Sequence, residues 1–151
     1  MQTLSNSDPK PPKERKERKG NADMRRRQIL DATLRSIILS GLAKTTLATV
    51  AAEADLSQGV AIFYFKSKNG LLSEALRELY QNYEDNWEAA LANAPNNPAA
   101  KLRAIIEADF DAEICNNDTL AVWFAFWGEQ KFTPQYSKIT NQYDQKRANA
   151  I

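Results

Sequence analysis

Histidine is absent from the 151 residues, and cysteine occurs once, at Cys115. Without imidazole there is no His metal ligand, no Ser-His nucleophile pair and no usual general base. One cysteine permits neither a disulfide within the chain nor a cluster of thiolates around a metal. It fits a reducing cytoplasm. Neither a P-loop nor a G-x-G-x-x-G run is present. No apolar stretch approaches the ~20 residues that cross a bilayer, and the N-terminus lacks the apolar segment of a secretory signal. Asp109, Asp111 and Glu113 are close in sequence, but their spacing splits them between helix faces, as solvated charges rather than an acid/base pair. The expectation is therefore of no catalytic residue, no metal site, no cofactor, no enzyme and no membrane partner, in a cytoplasmic chain.

Charge of both signs is present but unevenly placed. Residues 1–70 hold 13 Lys and Arg against 7 Asp and Glu, and residues 71–151 hold 7 against 12. A basic half attracts phosphate and an acidic half does not.

The pattern is all-α. Residues 1–22 combine Asp8-Pro-Lys-Pro-Pro with the charge run PKERKERKG, which has no apolar partner; they read as a disordered basic arm. Such an arm adds phosphate or minor-groove contacts, or is a solvated tail. The first helix is expected from Asp23 to Ser40, with Ile29, Leu30, Thr33, Leu34, Ile37 and Ile38 as its buried stripe and Gly41 as its stop. Arg25, Arg26 and Arg27 on its first turn oppose the helix dipole, which points to phosphate contact. A long helix is expected from Lys68 to Ala94, ended by Pro95-Asn-Asn-Pro98. Further helices are expected at residues 98–114, at 119–130, where TLAVWFAFWGEQ is apolar nearly all round and reads as central, and from Thr133 onward.

The chain is organised around TTLATVAAEADLSQGVAIFYFKSKNGLL, from Thr45 to Leu72. Leu47, Val50, Ala51 and Ala54 set a helical rhythm from Leu47 to Ala54. Thr46 stands at its N-cap and Ser57 at the N-cap of a second short helix, from Gln58 to Tyr64. Two short helices around a tight turn form the unit that enters a DNA major groove. Ser57-x-Gly59, with Tyr64-Phe65-x-Ser67-Lys68-x-x-Leu71-Leu72, resembles the DNA-binding signature of the TetR family of repressors.

That resemblance implies a three-helix DNA-binding domain over residues 23–70. The long helix joins it to a helical ligand and dimerisation domain over 71–151. The second short helix would read double-stranded operator DNA. Thr46, Tyr64, Lys66 and Lys68 would hold phosphates, and Ser57 and Gln58 would face backbone or base edges. Gly59 would permit close approach. Ile62 and Phe63 depart from the polar residues common there, and would touch thymine methyls or weaken the surface. Asp55 replaces the glycine frequent in the turn.

Lys68-Asn-Gly-Leu-Leu72, Phe110-Asp111 and Trp123-Phe-Ala-Phe-Trp127 resemble the BetI branch of the family. That branch represses the genes that convert choline to glycine betaine, and choline relieves the repression. A quaternary ammonium suits a cage of aromatic faces. Phe110, Trp123, Phe126, Trp127 and Tyr136 are the expected walls, and Asp109 or Asp111 the counter-charge; a plain bundle core is the alternative for these rings. The family acts as homodimers. Because this chain stops inside a helix, the resemblance implies missing C-terminal helices, weak dimerisation and weak operator binding. A TetR-type regulator of another stimulus, such as a drug or fatty acid, and a helical interaction module without operator binding remain as alternatives.

Overall fold

The structure, a computed structural model, describes residues 12–151. Among these residues seven helices follow one another: α1 (Pro12–Ser40), α2 (Leu47–Glu53), α3 (Gln58–Phe65), α4 (Lys68–Asn93), α5 (Pro98–Asp109), α6 (Asn117–Glu129) and α7 (Pro134–Ala150). No strand occurs among the described residues. None of these helices is long and apolar enough to cross a membrane.

Local chemistry sets most boundaries. Thr46, Ser57, Ser67, Asn97 and Asn116 each accept a backbone N–H in the first turn of the helix that follows. Pro98 and Pro134 occupy first-turn positions where their missing N–H is harmless. Gly41 adopts φ +81, donates to the Ile37 carbonyl at 2.9 Å and stops α1.

Two boundaries differ from the sequence expectation by more than two residues. The α1 helix begins at Pro12, so residues 12–22 of the expected disordered arm are helical, whereas residues 1–11 lie outside the described chain. Lys, Arg and Glu are good helix formers, and they propagate a helix already nucleated by the packed residues downstream. The expected helix over 98–114 ends at Asp109. There the Asp111 carboxylate accepts the Glu113 N–H at 2.9 Å, and a turn competes with the helix.

One cluster of buried side chains runs from Ile29 and Leu30 of α1, through Val50, Phe65, Leu71 and Leu76, to Val122, Trp123, Phe126, Tyr136 and Ile139. The expected division at residue 70/71 falls inside α4, and the core is continuous across it. The α6 helix is not central. Val122, Trp123 and Phe126 are buried, but Phe124 is 64% and Trp127 47% exposed. Its apolar composition conceals that only one side is covered.

Candidate nucleic-acid interface and ligand pocket

The turn between α2 and α3 is held by the backbone. The Leu56 N–H donates to the Ala51 carbonyl at 2.9 Å, while Asp55 takes φ +54. A left-handed residue there turns the chain within four residues, and Asp tolerates it better than most. Ala61 and Phe65 are buried beneath α3, and Val60 and Tyr64 are half-buried. The opposite face carries Gln58, Gly59, Ile62 and Phe63, all exposed. A Cβ added at Gly59 would meet only the Ser57 Oγ, at 3.9 Å, so no packing within the chain requires glycine there.

The residues expected to hold phosphates have internal partners. Thr46 and Thr49 form a reciprocal capping box: the Thr49 N–H donates to Thr46 Oγ1 at 3.1 Å, and the Thr46 N–H to Thr49 Oγ1 at 2.8 Å. Lys66, at φ +69, terminates α3; its Nζ donates to the Phe63 carbonyl at 3.0 Å and lies 5.5 Å from the Phe63 ring centre. The Lys68 Nζ donates to the Ala43 carbonyl at 3.3 Å, across the start of α4. Ser57 Oγ accepts the Val60 N–H at 3.4 Å. The Tyr64 ring stands edge-on to Phe63, 5.1 Å away.

The arginine triplet has a structural role that the sequence did not suggest. Arg26 pairs with Glu74 at 2.5 Å and covers the Phe65 ring at 5.3 Å, and Arg27 pairs with Glu78 at 2.7 Å. The Glu78 bond raises the Arg27 pKa from its ordinary value. These pairs tie α1 to α4, so two of the three charges are engaged within the chain. Among the described residues Arg25 reaches only Gln28, at 3.4 Å. Gly70 is likewise dictated by packing. A Cβ there would stand 2.2 Å from the Phe65 carbonyl oxygen, so the end of α3 seats directly on the first turn of α4.

A cavity of about 400 Å³ opens between α4, α6 and α7. Tyr80, Tyr83, Trp123 and Trp127 form its aromatic walls, and Asp109, Asp144 and Arg147 its charged groups. Tyr80 and Trp123 meet edge-on at 4.6 Å, Tyr83 and Trp123 at 5.9 Å, and Trp123 and Trp127 tilt together at 5.6 Å. Arg147 binds Asp109 through two nitrogens, at 3.0 and 2.9 Å, and lies 4.9 Å from the centre of the Tyr83 ring. The Tyr83 hydroxyl donates to Asp109 at 2.8 Å. Burial raises the Asp109 carboxyl pKa and lowers that of Arg147. Partial burial also raises the Asp144 carboxyl pKa at the edge of the cavity.

Of the expected ligand residues, the fold brings Trp123, Trp127 and Asp109 to this cavity. Phe110 caps α5 and is 73% exposed, while Asp111 lies in the exposed turn beyond it. Phe126 and Tyr136 pack edge-on at 5.1 Å inside the core, where burial pushes the Tyr136 hydroxyl up to about 12. Tyr80, Tyr83, Asp144 and Arg147 were not expected. Tyr80 and Tyr83 sit three residues apart on α4, a spacing that places both rings on one face.

Residues 29–75 match the family described as bacterial regulatory proteins, tetR family. The HTH-type transcriptional regulator BetI of Paraburkholderia xenovorans (strain LB400) is 40% identical over 123 residues, covering 80% of this chain and 62% of that protein. The HTH-type transcriptional regulator BetI of Stenotrophomonas maltophilia (strain R551-3) is 33% identical over 129 residues, covering 85% and 66%. The chain thus spans a little under two thirds of the length of these relatives. Among solved structures, a putative transcriptional regulator from Pseudomonas aeruginosa PAO1 aligns with a TM-score of 0.75 at 24% identity, over 82% of this chain and 59% of that one. A TetR family transcription regulator from Marinobacter aquaeolei VT8 aligns with a TM-score of 0.74 at 20% identity, over 87% and 66%. The capped helix-turn-helix, the start of the long α4 that continues from it and the family match lead to one assignment: the segment 29–75 belongs to the tetR family of bacterial regulatory proteins.

Proposed function

We propose that the chain is a ligand-responsive transcriptional repressor that reads double-stranded operator DNA through α3, with choline as its inducer. The observation that carries the DNA reading is the outer face of α3. Phe63 is 68% and Ile62 42% exposed, beside Gln58 and a Gly59 that nothing in the chain requires. A face that leaves apolar area in water and keeps its backbone bare fits a surface meeting a partner closely. Gln58 can pair with adenine N6 and N7, and the apolar pair can meet thymine methyls. Ser57, Tyr64, Lys66 and Lys68 flank that face as phosphate contacts. Thr46 contributes chiefly by fixing the start of α2, since its oxygen already caps that helix.

The choline reading rests on the BetI resemblance and on the cavity. Three rings, Tyr80, Trp123 and Trp127, surround it together with the Asp144 carboxylate, while Tyr83 already carries the chain's own Arg147 cation. A trimethylammonium group donates no hydrogen bond and suits that lining. The relatives named above are regulators, and the reading involves no chemical step.

Titrating a mixed-sequence duplex with the chain at several salt concentrations tests the first half. Steep salt dependence supports it, because phosphate contacts release counterions. Salt-insensitive binding, or none, would leave the exposed Ile62 and Phe63 as a protein-docking face. Calorimetry with choline tests the second half. Heat of binding together with release of the duplex supports it; a drug or fatty acid that releases the duplex where choline does not would replace choline as the inducer.

A further inference from the structure

The reading above gives no role to the N-terminal part of α1. Between Ile29 and Ile37 one face of that helix is buried, through Ile29, Leu30, Thr33 and Ile37. With 3.6 residues per turn, the same face runs back through Arg26 and Ala22 to Lys19, Arg18 and Arg15. Arg26 still touches the body, on Phe65 and Glu74. Arg15, Arg18 and Lys19 are exposed. The face is apolar where it meets the bundle and basic where it leaves it. We propose that this overhang is a second DNA-contact element, gripping phosphates of the duplex that flanks the stretch read by α3. The inference rests on the DNA-binding reading.

Three features support it. Positive charge on the first turn of a helix opposes the helix dipole, so the Arg15 charge does not stabilise the start of α1. The root of the overhang stands against the reading unit: Gln28 Nε2 donates to the carbonyl of Ala54, the C-cap of α2, at 2.7 Å, and Phe65 under Arg26 is the last residue of α3. From Arg26 back to Arg15 the helix extends roughly 16 Å at ~1.5 Å per residue, the length of about five base pairs at ~3.4 Å each. An anionic membrane is the less suitable partner. A surface-lying helix inserts an apolar face, and from Arg15 to Arg25 only Ala22 and the exposed Met24 offer apolar side chains.

The test uses the full chain carrying Arg15→Gln, Arg18→Gln and Lys19→Gln together. Glutamine preserves helix propensity, and none of these side chains is packed in the body, so the melting temperature should match the wild type. Binding to a long random-sequence duplex is titrated across salt concentrations. The slope of log K against log salt should fall by about 2 to 3, at ~0.9 per lost phosphate contact. In parallel, Phe63→Ala should lower affinity while leaving the slope unchanged. Equal slopes for the triple variant and the wild type overturn the inference while the DNA reading stands. If the wild type shows no salt-dependent duplex binding, the DNA reading falls and the inference with it. If the triple variant binds duplex normally but no longer sediments with phosphatidylglycerol vesicles, the overhang is a membrane element and the inference is overturned.

Discussion

Arg147 of α7 grips Asp109 at the end of α5 through two parallel hydrogen bonds, and the same guanidinium lies over the ring of Tyr83 on α4. One side chain therefore joins three helices at the edge of the aromatic cavity. The pair is half-buried, with side-chain exposures of 19% for Arg147 and 35% for Asp109. Planar, bidentate geometry and stacking on a ring are uses for which lysine is a poor substitute.

Arg147→Lys should therefore behave as a loss, not a conservative change. A cost of ~1–2 kcal/mol is expected, between the values for exposed and fully buried pairs. Urea denaturation measures it. In the Asp109→Asn background the same change should cost much less, because the partner charge is gone. A full cost in both backgrounds would mean that the ring contact, not the ion pair, holds α7.

Asp144 separates stability from ligand binding. Partial burial raises its carboxyl pKa, so the folded chain binds that proton more tightly than the unfolded chain. Stability from this group falls as pH rises from the unfolded value, ~3.9, through the raised folded value. Asp144→Asn should raise the melting temperature slightly at neutral pH, by roughly 1 °C. The difference should vanish below about pH 3.9, where the wild-type carboxyl is neutral as well. The same variant should bind choline roughly five- to ten-fold more weakly, having lost a charge beside the cation. Unchanged choline affinity by calorimetry would remove Asp144 from the site.

Local chemistry was legible in the sequence and tertiary contact was not. Thr46 and Ser57 announced two helix starts because a cap acts within one turn. The outer face of α3 was expected from the family resemblance, not from spacing. Pro12 as the start of α1 was hidden, since a charge run becomes helical only when the packed stripe at Ile29–Ile37 nucleates it. The cavity was half-read because its walls come from α4, α6 and α7 together. Trp123 and Trp127 stood out as a cluster, but Tyr80, Tyr83, Asp144 and Arg147 lie 40 and more residues from them or on another helix. Phe110, Phe126 and Tyr136 show that aromatic composition does not tell a ring in a core from one in a pocket or in water. Glycine 70 looked ordinary because the clash it avoids involves the backbone of Phe65.

Gly70→Ala should be among the most damaging small substitutions in the chain. The added Cβ would fall 2.2 Å from a backbone oxygen, which cannot rotate aside as a side chain does. The end of α3 must shift away from α4, at a cost of about 2 kcal/mol or more. Duplex binding should fall with it, because Tyr64, Lys66 and Lys68 all sit at that joint. A variant with wild-type stability and binding would show that the joint has room the geometry denies.

Asp55→Gly should act in the opposite sense. A non-glycine residue at φ +54 carries strain that glycine relieves, less for Asp than for most residues. Glycine adds freedom to the unfolded chain, which offsets part of the gain. The net expectation is a stabilisation of about 0.5 kcal/mol, read as a rise of ~1–2 °C in melting temperature. A fall would mean that the Asp55 side chain makes a contribution beyond its backbone.

The last prediction concerns Glu84, a carboxylate on α4 that is only 4% exposed. One of its oxygens accepts Lys146 of α7, and the other is buried without a hydrogen-bond partner among the described residues. The charge thus depends on a single cation at the rim, which also reaches Glu88 at 3.4 Å. Removing that cation leaves a buried carboxylate uncompensated, a far worse state than having neither charge. Lys146→Met should lower the melting temperature sharply, and Glu84→Gln in the same chain should restore most of the loss, because a neutral amide needs no counter-charge. Arg147 and Asp109 are untouched in both variants, so choline binding by the double variant should match the wild type. If Glu84→Gln fails to rescue Lys146→Met, the lysine contributes through its packed methylene stem, and the buried charge is not what anchors α7 to α4.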